Sequence, residues 1–435
     1  MRKHALFVLF CFILFIPLVH ASKRPTLQWV AHYKGPGNNR GYPLALAVDN
    51  SSNIYVTGTS QSLGVGFSAD GGKDYATIKY DRNGKQLWVA RYDGPGVNGP
   101  YNNGEDEAYA IAVDHVGNVY VTGHSKSEYD DSDCATIKYN SEGKQLWVAR
   151  SSYGSGLAIA VDDSGNTYVA VSKKVVTNRP KYTTIKYDPN GKNLWARHRE
   201  YNYRGMLTGP KDIVFDDSGD VYVNGLDPIK YKPNGDQVWA KSFGEFLRVE
   251  DTNSFYYMRS IHNSTTDLDS ELSKYDNNGK KLWSARYSGS ANAYDCLELL
   301  GADRFGNVYW AGNSMSKGTD LDCVTIKFDC NGNKLWTAHY NGPANGSDLV
   351  DSIVVDDLGN VYLAGSSKRV DSHDDLDVIV LKYDYNGKEL WCVRYGGNFG
   401  TFRALAIDDF GNFYITGSGE YHSGEYITIK YAQQK

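Results

Sequence analysis

The chain consists largely of short apolar and aromatic runs, each about five or six residues long and bounded by polar turn signals. Residues 110–113 (Ala-Ile-Ala-Val) and 119–122 (Val-Tyr-Val-Thr) are two such runs, and the residues between them include Gly117-Asn118. Runs of this length that are rich in β-branched and aromatic residues are typical of strands. With 45 Gly and only 4 Met in 435 residues, the composition also favours tight turns over helices. The pattern predicts an all-β protein.

One unit of four strands, A to D, recurs along the chain. Strand C ends in Lys-aromatic eight times, first at Lys79-Tyr80, and strand D carries a Trp four residues after a turn glycine, as in Gly84 and Trp88. Asn-Gly turns between strand-like runs are typical of β-hairpins. Strand A is rich in Ala, and strand B follows a turn of the form Asp-x-x-Gly-Asn, as at Asp114. We expect the aliphatic chains of the strand-C lysines to pack along the outside of a blade, with the ammonium groups in solvent.

Four-stranded units repeated every 44–59 residues or so predict the blades of a β-propeller. Trp29 lies in a strand-D pattern without a preceding A, B or C, and the last unit, residues 403–431, supplies A, B and C without a D. We therefore predict that residues 22–435 form one eight-bladed β-propeller, closed by the N-terminal strand in the last blade. A seven-bladed ring is the alternative if the degenerate fifth unit, about 245–287, is not a blade.

The N-terminus has the pattern of a secretory signal. A basic start, an apolar run and the small-residue pattern Val19-His20-Ala21 predict that residues 1–21 are a signal peptide, and no other segment is predicted to span a membrane. We expect an exported protein in the periplasm, outside the cell or at its surface. Five cysteines remain after the signal and show no disulfide framework or zinc spacing. The formal net charge of −5 excludes a globally basic surface for nucleic acid.

The repeat resembles a known family. Asp-x-x-Gly-Asn-Val-Tyr-Val-Thr-Gly, followed by Thr-Ile-Lys-Tyr-Asp-x-Asn-Gly-Lys-x-Leu-Trp, is similar to the SBBP beta-propeller repeats of exported bacterial and archaeal proteins. The resemblance covers about 27–431 and implies a propeller at or beyond the cell surface, without a shared chemistry. A weaker resemblance to quinoprotein propeller repeats does not extend to their adjacent cysteine pair, so no quinone cofactor is expected.

We expect functional residues in the loops that differ between repeats, which run from strand D to the next strand A and from strand B to strand C. These loops share one face of the propeller, which we name the variable face. Three acids occupy one register there, eight residues before the turn Asp of their blades, and we expect them to be exposed near the channel mouth and dispensable for the fold: Asp106, Asp295 and Asp348. Basic and aromatic candidates are Arg197, Arg199 and Tyr201. No cofactor is required, although an acidic loop with Asp374, Asp375 and Asp377 is a candidate calcium site.

Trp310 is the one Trp outside the D strands, and it is either a core residue or a stacking platform for a ligand on the variable face. No nucleophile, metalloprotease or phosphate-loop motif is present. The leading hypothesis is a monomeric, non-enzymatic scaffold that binds a protein or polysaccharide through the variable face. The alternative is a carbohydrate-active hydrolase or lyase with acids converging at the channel mouth.

Overall fold

A computed structural model gives the structure of the chain. It describes residues 23–36, 40–63, 70–95, 104–127, 132–173, 181–200, 209–225, 228–240, 246–251, 254–262, 268–277, 279–289, 294–315, 320–370, 375–396, 399–419 and 424–434. The predicted signal peptide lies outside these ranges. Within them, no helix is long and apolar enough to cross a membrane.

In the described part of the chain, thirty-two strands form eight antiparallel four-stranded sheets, each with its strands in the order A-B-C-D. Blades 1 and 2 contain β2 (Gly41–Val48), β3 (Ile54–Leu63), β4 (Asp70–Tyr80) and β5 (Gln86–Tyr92), then β6 (Asp106–Val113), β7 (Val119–Lys126), β8 (Ser132–Tyr139) and β9 (Gln145–Ser151). Blades 3 and 4 contain β10 (Ser155–Val161), β11 (Thr167–Lys173), β12 (Lys181–Tyr187) and β13 (Asn193–Glu200), then β14 (Asp212–Phe215), β15 (Val221–Asn224), β16 (Ile229–Tyr231) and β17 (Gln237–Ala240).

The second half of the ring repeats this order. Blades 5 and 6 contain β18 (Phe246–Asp251), β19 (Ser254–His262), β20 (Leu268–Asp276) and β21 (Lys281–Tyr287), then β22 (Asp295–Ala302), β23 (Val308–Met315), β24 (Leu321–Phe328) and β25 (Lys334–Tyr340). Blades 7 and 8 contain β26 (Asp348–Val355), β27 (Val361–Lys368), β28 (Leu376–Tyr383) and β29 (Glu389–Tyr395), then β30 (Phe399–Ile407), β31 (Phe413–Gly419), β32 (Tyr426–Gln434) and β1 (Lys23–Tyr33). The degenerate fifth unit is a blade, so the protein is an eight-bladed β-propeller and the seven-bladed alternative is wrong.

The ring closes in blade 8. β1 pairs antiparallel with β32, with Trp29 opposite Lys430 and Tyr33 opposite Tyr426. The sheet order β1-β32-β31-β30 places the N-terminal strand in the strand-D position of the last blade. The predicted closure is confirmed.

The Asp of each A–B turn holds the turn by hydrogen bonds. In blade 2, Asp114 Oδ1 accepts from the N–H groups of Val116 and Asn118, and its Oδ2 accepts from Asn118 Nδ2 and Tyr120 OH. Gly117 has φ 84°, a left-handed conformation that other residues adopt only at a cost. These contacts explain why the sequence repeats Asp, Gly, Asn and Tyr at fixed spacing.

Six of the blades also dock onto the C–D turn of the next one. Trp88 Nε1 and Lys79 Nζ of blade 1 both donate to Ser141 O in blade 2, each at 3.1 Å. A Cβ on the turn residue Gly143 would lie 2.6 Å from the Trp88 ring, so only Gly fits. The same indole-to-carbonyl bond recurs at Trp29, Trp147, Trp195, Trp283 and Trp336.

The expectation of solvated strand-C lysines is wrong. Lys79 is 7% exposed, and its ammonium stands 4.9 Å from the centre of the Tyr55 ring. The turn carbonyl and the aromatic face replace water around the charge, because a buried cation must be paired or hydrogen-bonded. The lysines are therefore part of the joints between blades.

Candidate functional site

The three acids that share a register on the variable face have the same structural position. Asp106, Asp295 and Asp348 each begin strand A of their blade. Each is paired across the sheet with a serine of strand B: Ser125, Ser314 and Ser367. The predicted equivalence of the three positions is confirmed.

Their expected exposure is wrong, because each of the three residues is 1% exposed. Asp348 accepts hydrogen bonds from Gly342 N–H and from Ser367 Oγ. Burial raises the pKa of Asp348, and the hydrogen bond from Ser367 opposes that effect. A buried carboxylate with these bonds fixes the loop that enters strand A, so it is not available to a ligand.

In blades 1, 2 and 7, an arginine near the end of strand D links the variable face of the blade to the preceding blade. Arg394 donates to Tyr340 OH of blade 6 at 3.2 Å, to Ser367 Oγ at 2.8 Å and to Asp377 Oδ2 at 3.1 Å. Arg150 and Arg91 make the matching contacts in blades 2 and 1. These bonds hold adjacent blades in register at the variable face.

Asp377 of the predicted calcium site has two arginine partners. Its carboxylate faces two guanidinium groups, with Arg394 Nε 3.1 Å and Arg369 Nε 3.7 Å away. Asp375 accepts the N–H of Arg369 with its backbone oxygen, and Asp374 lies outside the described residues. Arginine already supplies the positive charge that a calcium ion would bring.

Three other carboxylates lie close enough together to hold a cation: Asp74, Asp93 and Asp106, whose nearest oxygens are within 4.8 Å of one another. Burial raises the pKa of Asp74 to about 6, Arg91 opposes this, and Asp93 and Asp106 add to it. Arg91 Nη2 is 2.6 Å from Asp74 Oδ2 and partly neutralises the group. The described geometry therefore favours an arginine–carboxylate ion pair here over a metal site.

The basic candidates are blade residues as well. Arg197 Nε donates to Gly235 O at 2.7 Å, and its guanidinium stands 5.6 Å from the centre of the Trp195 ring. Arg197 and Arg199 both lie in β13 and lower the otherwise raised pKa of Tyr231 in blade 4. Tyr201 lies outside the described residues. Arg197 therefore serves the joint between blades 3 and 4.

Trp310 is a core residue. It is 0% exposed, and its Nε1 donates to Leu297 O at 2.9 Å. It packs in an apolar cluster with Leu272 and Val324 of neighbouring strands. A ring without access to solvent does not form a stacking platform on the variable face.

Residues that the repeat pattern does not nominate occupy bulges in the innermost strands. Strand A carries a bulge in several blades, which adds a residue at Tyr109 in blade 2, Asp351 in blade 7 and Arg403 in blade 8. Strand A is the innermost strand, and those of adjacent blades contact one another around the axis. Asp351 and Arg403 are exposed. Partial burial raises the pKa of Asp351, and Arg403 opposes this.

One polar surface of the described variable face joins blades 1 to 3. We name it the mouth patch, and it consists of Lys73, Glu107, Tyr109, His124 and Ser155. Glu107 Oε1 accepts from Lys73 Nζ at 2.8 Å, and its Oε2 accepts from Tyr109 OH at 2.6 Å. His124 Nδ1 lies 3.3 Å from Ser155 Oγ. The patch thus presents donors and acceptors of both signs within a few ångströms.

The mouth patch is not arranged as a nucleophile with a proton relay. Both oxygens of Glu107 are engaged by Lys73 and Tyr109, so the carboxylate does not orient His124 for Ser155. Burial lowers the pKa of His124, and nearby Glu107 opposes this. A neutral imidazole, a hydroxyl and a fixed ion pair form a hydrogen-bonding surface.

Comparison with known proteins also indicates a β-propeller. The chain is a β-propeller, and a family model of the SBBP beta-propeller repeat matches residues 98–130, which confirms the resemblance. No curated protein matches it in sequence. The Dos1 propeller is similar in structure, with a TM-score of 0.57, 8% identity and coverage of 93% of this chain and 94% of that one. The Pan2 WD40 domain of Neurospora crassa has a TM-score of 0.47 and 10% identity over 94% of this chain and 96% of its own. At these identities the likeness concerns the fold alone.

Proposed function

We propose that the protein is an exported, monomeric, non-enzymatic scaffold that binds a polysaccharide through the variable face, at the mouth patch. The observation that supports this proposal is the network of Lys73, Glu107, Tyr109, His124 and Ser155. It combines residues from three blades, whereas the repeat needs none of these side chains to form its turns or its joints. Residues that a repeated scaffold does not require are the natural place for binding.

The chemistry of the patch favours sugar hydroxyls. A hydroxyl both donates and accepts, and the patch offers an ammonium, a carboxylate, an imidazole and two hydroxyls side by side. Tyr42, which is 40% exposed at the start of β2, adds an aromatic surface near Lys73. A protein partner would instead need a contact of about 800 Å² on each side, commonly with apolar anchors.

The proposal is tested by a binding array. The purified protein is applied to bacterial polysaccharides, cell-wall fragments and cell-surface proteins, and the supernatant is analysed for cleavage products. Binding to a polysaccharide without release of products supports the scaffold. Binding to proteins alone would indicate that the variable face binds a protein partner instead. Release of shortened polysaccharide chains would favour an enzyme.

A carbohydrate-active hydrolase remains the second candidate, and one observation favours it. Asp351 in blade 7 has a raised pKa, and Glu298 occupies strand A of the adjacent blade with its side chain exposed. Glycoside cleavage uses an acid with a raised pKa together with a second carboxylate. If the array releases products, Asp351→Asn and Glu298→Gln should each abolish release while binding persists.

A further inference from the structure

The closure of the ring leaves one joint between blades incomplete. Among the described residues, six C–D turns accept a hydrogen bond from a Trp of the preceding blade. In blade 8, strand C is β32 and strand D is β1, so no C–D turn joins them. At the joint between blades 6 and 7, for example, Lys327 and Trp336 of blade 6 donate to the same carbonyl of blade 7, Tyr385 O, at 3.1 and 3.0 Å. Blade 7 therefore faces a joint at which the described residues provide no C–D turn.

The hydrogen-bond donors of blade 7 that correspond to Lys327 and Trp336 therefore have no turn carbonyl to bind within the described ranges. Lys382 Nζ contacts Gln433 Oε1 at 3.4 Å, so a side-chain oxygen stands in for the turn carbonyl. Trp391 Nε1 and Gln433 Nε2 are buried and have no partner among the described residues. A buried N–H without an acceptor loses the hydrogen bond that it makes with water in the unfolded chain, so an acceptor supplied from outside would be favourable here. Trp239 Nε1 also has no partner in the described part of the chain, but there Lys230 is held by Asp216 and Asp220.

A cavity of about 330 Å³ lies at this joint, on the face opposite the mouth patch. Lys382 and Gln433 line it, and the A–B turns of blades 7 and 8 form its walls. Two exposed acids, Asp357 and Asp409, stand at its rim. Leu358 and Phe410 are 69% and 68% exposed beside them. The cavity therefore combines buried hydrogen-bond donors with exposed acidic and apolar residues at its opening.

We propose that this cavity, which we name the seam pocket, binds a basic peptide segment. A backbone carbonyl of the peptide accepts hydrogen bonds from Lys382 Nζ and Gln433 Nε2, as turn carbonyls do at the other joints. A lysine or arginine side chain of the peptide pairs with Asp357 and Asp409, and the adjacent residues contact Leu358 and Phe410. The volume suits two or three residues, at the lower end of ordinary ligand pockets.

The joint between blades 3 and 4 provides a matched control. It carries acids at the equivalent turn positions, Asp163 and Asp217, but Lys186 Nζ already donates to Pro233 O at 3.1 Å. The same substitutions made there remove the same charges from the same kind of turn. They should leave peptide binding unchanged, since that joint has its own turn.

The experiment uses the full chain and a peptide copy of residues 81–87, acetylated and amidated, which contains a turn carbonyl, Arg82 and Lys85. Calorimetric titration should show binding that weakens as salt is raised. Lys382→Met should weaken it at least tenfold, and Asp357→Asn with Asp409→Asn at least fivefold, whereas Lys186→Met and the Asp163→Asn, Asp217→Asn pair should not.

Three results would overturn the proposal: no binding by the wild-type chain, equal binding by a peptide with Gln in place of Arg82 and Lys85, or equal losses at the control joint. The paired Asn variants change exposed turn residues, so they report on binding even if Lys382→Met does not fold. Because this site lies on the other face, its failure leaves the polysaccharide proposal unaffected.

Discussion

Replacing Asp348 by Ala should destabilise the protein substantially, in contrast to what its loop position in the sequence suggests. The carboxylate is buried and accepts bonds from Gly342 N–H and Ser367 Oγ. Hydrogen bonds to a charged group contribute about 1.5–3 kcal/mol each. We take the lower value because burial raises the pKa of Asp348 and so penalises its ionised form. The expected loss is about 3 kcal/mol.

Urea unfolding followed by tryptophan fluorescence measures this loss. With a denaturant dependence of about 3 kcal/mol per molar urea, the midpoint should fall by about 1 M. Asp351→Ala, three residues along the same strand at an exposed position, is the control and should shift the free energy of unfolding by less than about 0.5 kcal/mol. An unchanged midpoint for Asp348→Ala, or an equal shift for both variants, would refute the structural role of the buried acid.

Three further predictions concern the joints and the rim. Deleting residues 23–33 removes the strand that closes blade 8 and should lower the melting temperature and cause association through the exposed edge of β32; a soluble monomer that melts at the wild-type temperature would contradict the closure. Gly84→Ala should cost more than Gly165→Ala in urea unfolding, because both glycines have positive φ but only at Gly84 would a Cβ meet a Trp29 ring atom, at 2.6 Å. The folded state binds the Asp74 proton more tightly than the unfolded state, with a pKa of about 6 against 3.8, so this group's contribution to stability should fall as pH rises from about 4 to 6. Asp74→Asn should flatten that part of the stability curve, and an unchanged curve would show that Asp74 does not titrate there.

The fold is predictable from the sequence because its repeated contacts are local. The turn at Asp114 and the pairing of its neighbours involve residues within six positions of one another. A hairpin of this kind leaves the same spacing in every copy, and eight copies make the signal unambiguous. Closure was also predictable, since Trp29 repeats the strand-D pattern where no other strand precedes it.

The site was less predictable because its contacts join different blades. Asp348 looks like a loop acid, and only the folded rim shows that Gly342 and Ser367 surround it. The burial of the strand-C lysines is unpredictable for the same reason, since the carbonyl that Lys79 binds is 62 residues away in sequence. His124 and Ser155 likewise belong to separate blades. A spacing argument within one repeat does not detect contacts of this kind.

The most direct test of the account is the affinity of the polysaccharide that the array identifies for two matched double variants. Lys73→Met with Glu107→Gln changes the mouth patch, and Lys144→Met with Glu142→Gln makes the same changes at exposed residues of the blade 2 turn on the opposite face. We predict that the first variant loses at least tenfold in affinity at an unchanged melting temperature, while the second binds like the wild type. Equal affinity for both variants, or a loss confined to the second, would contradict binding at the mouth patch.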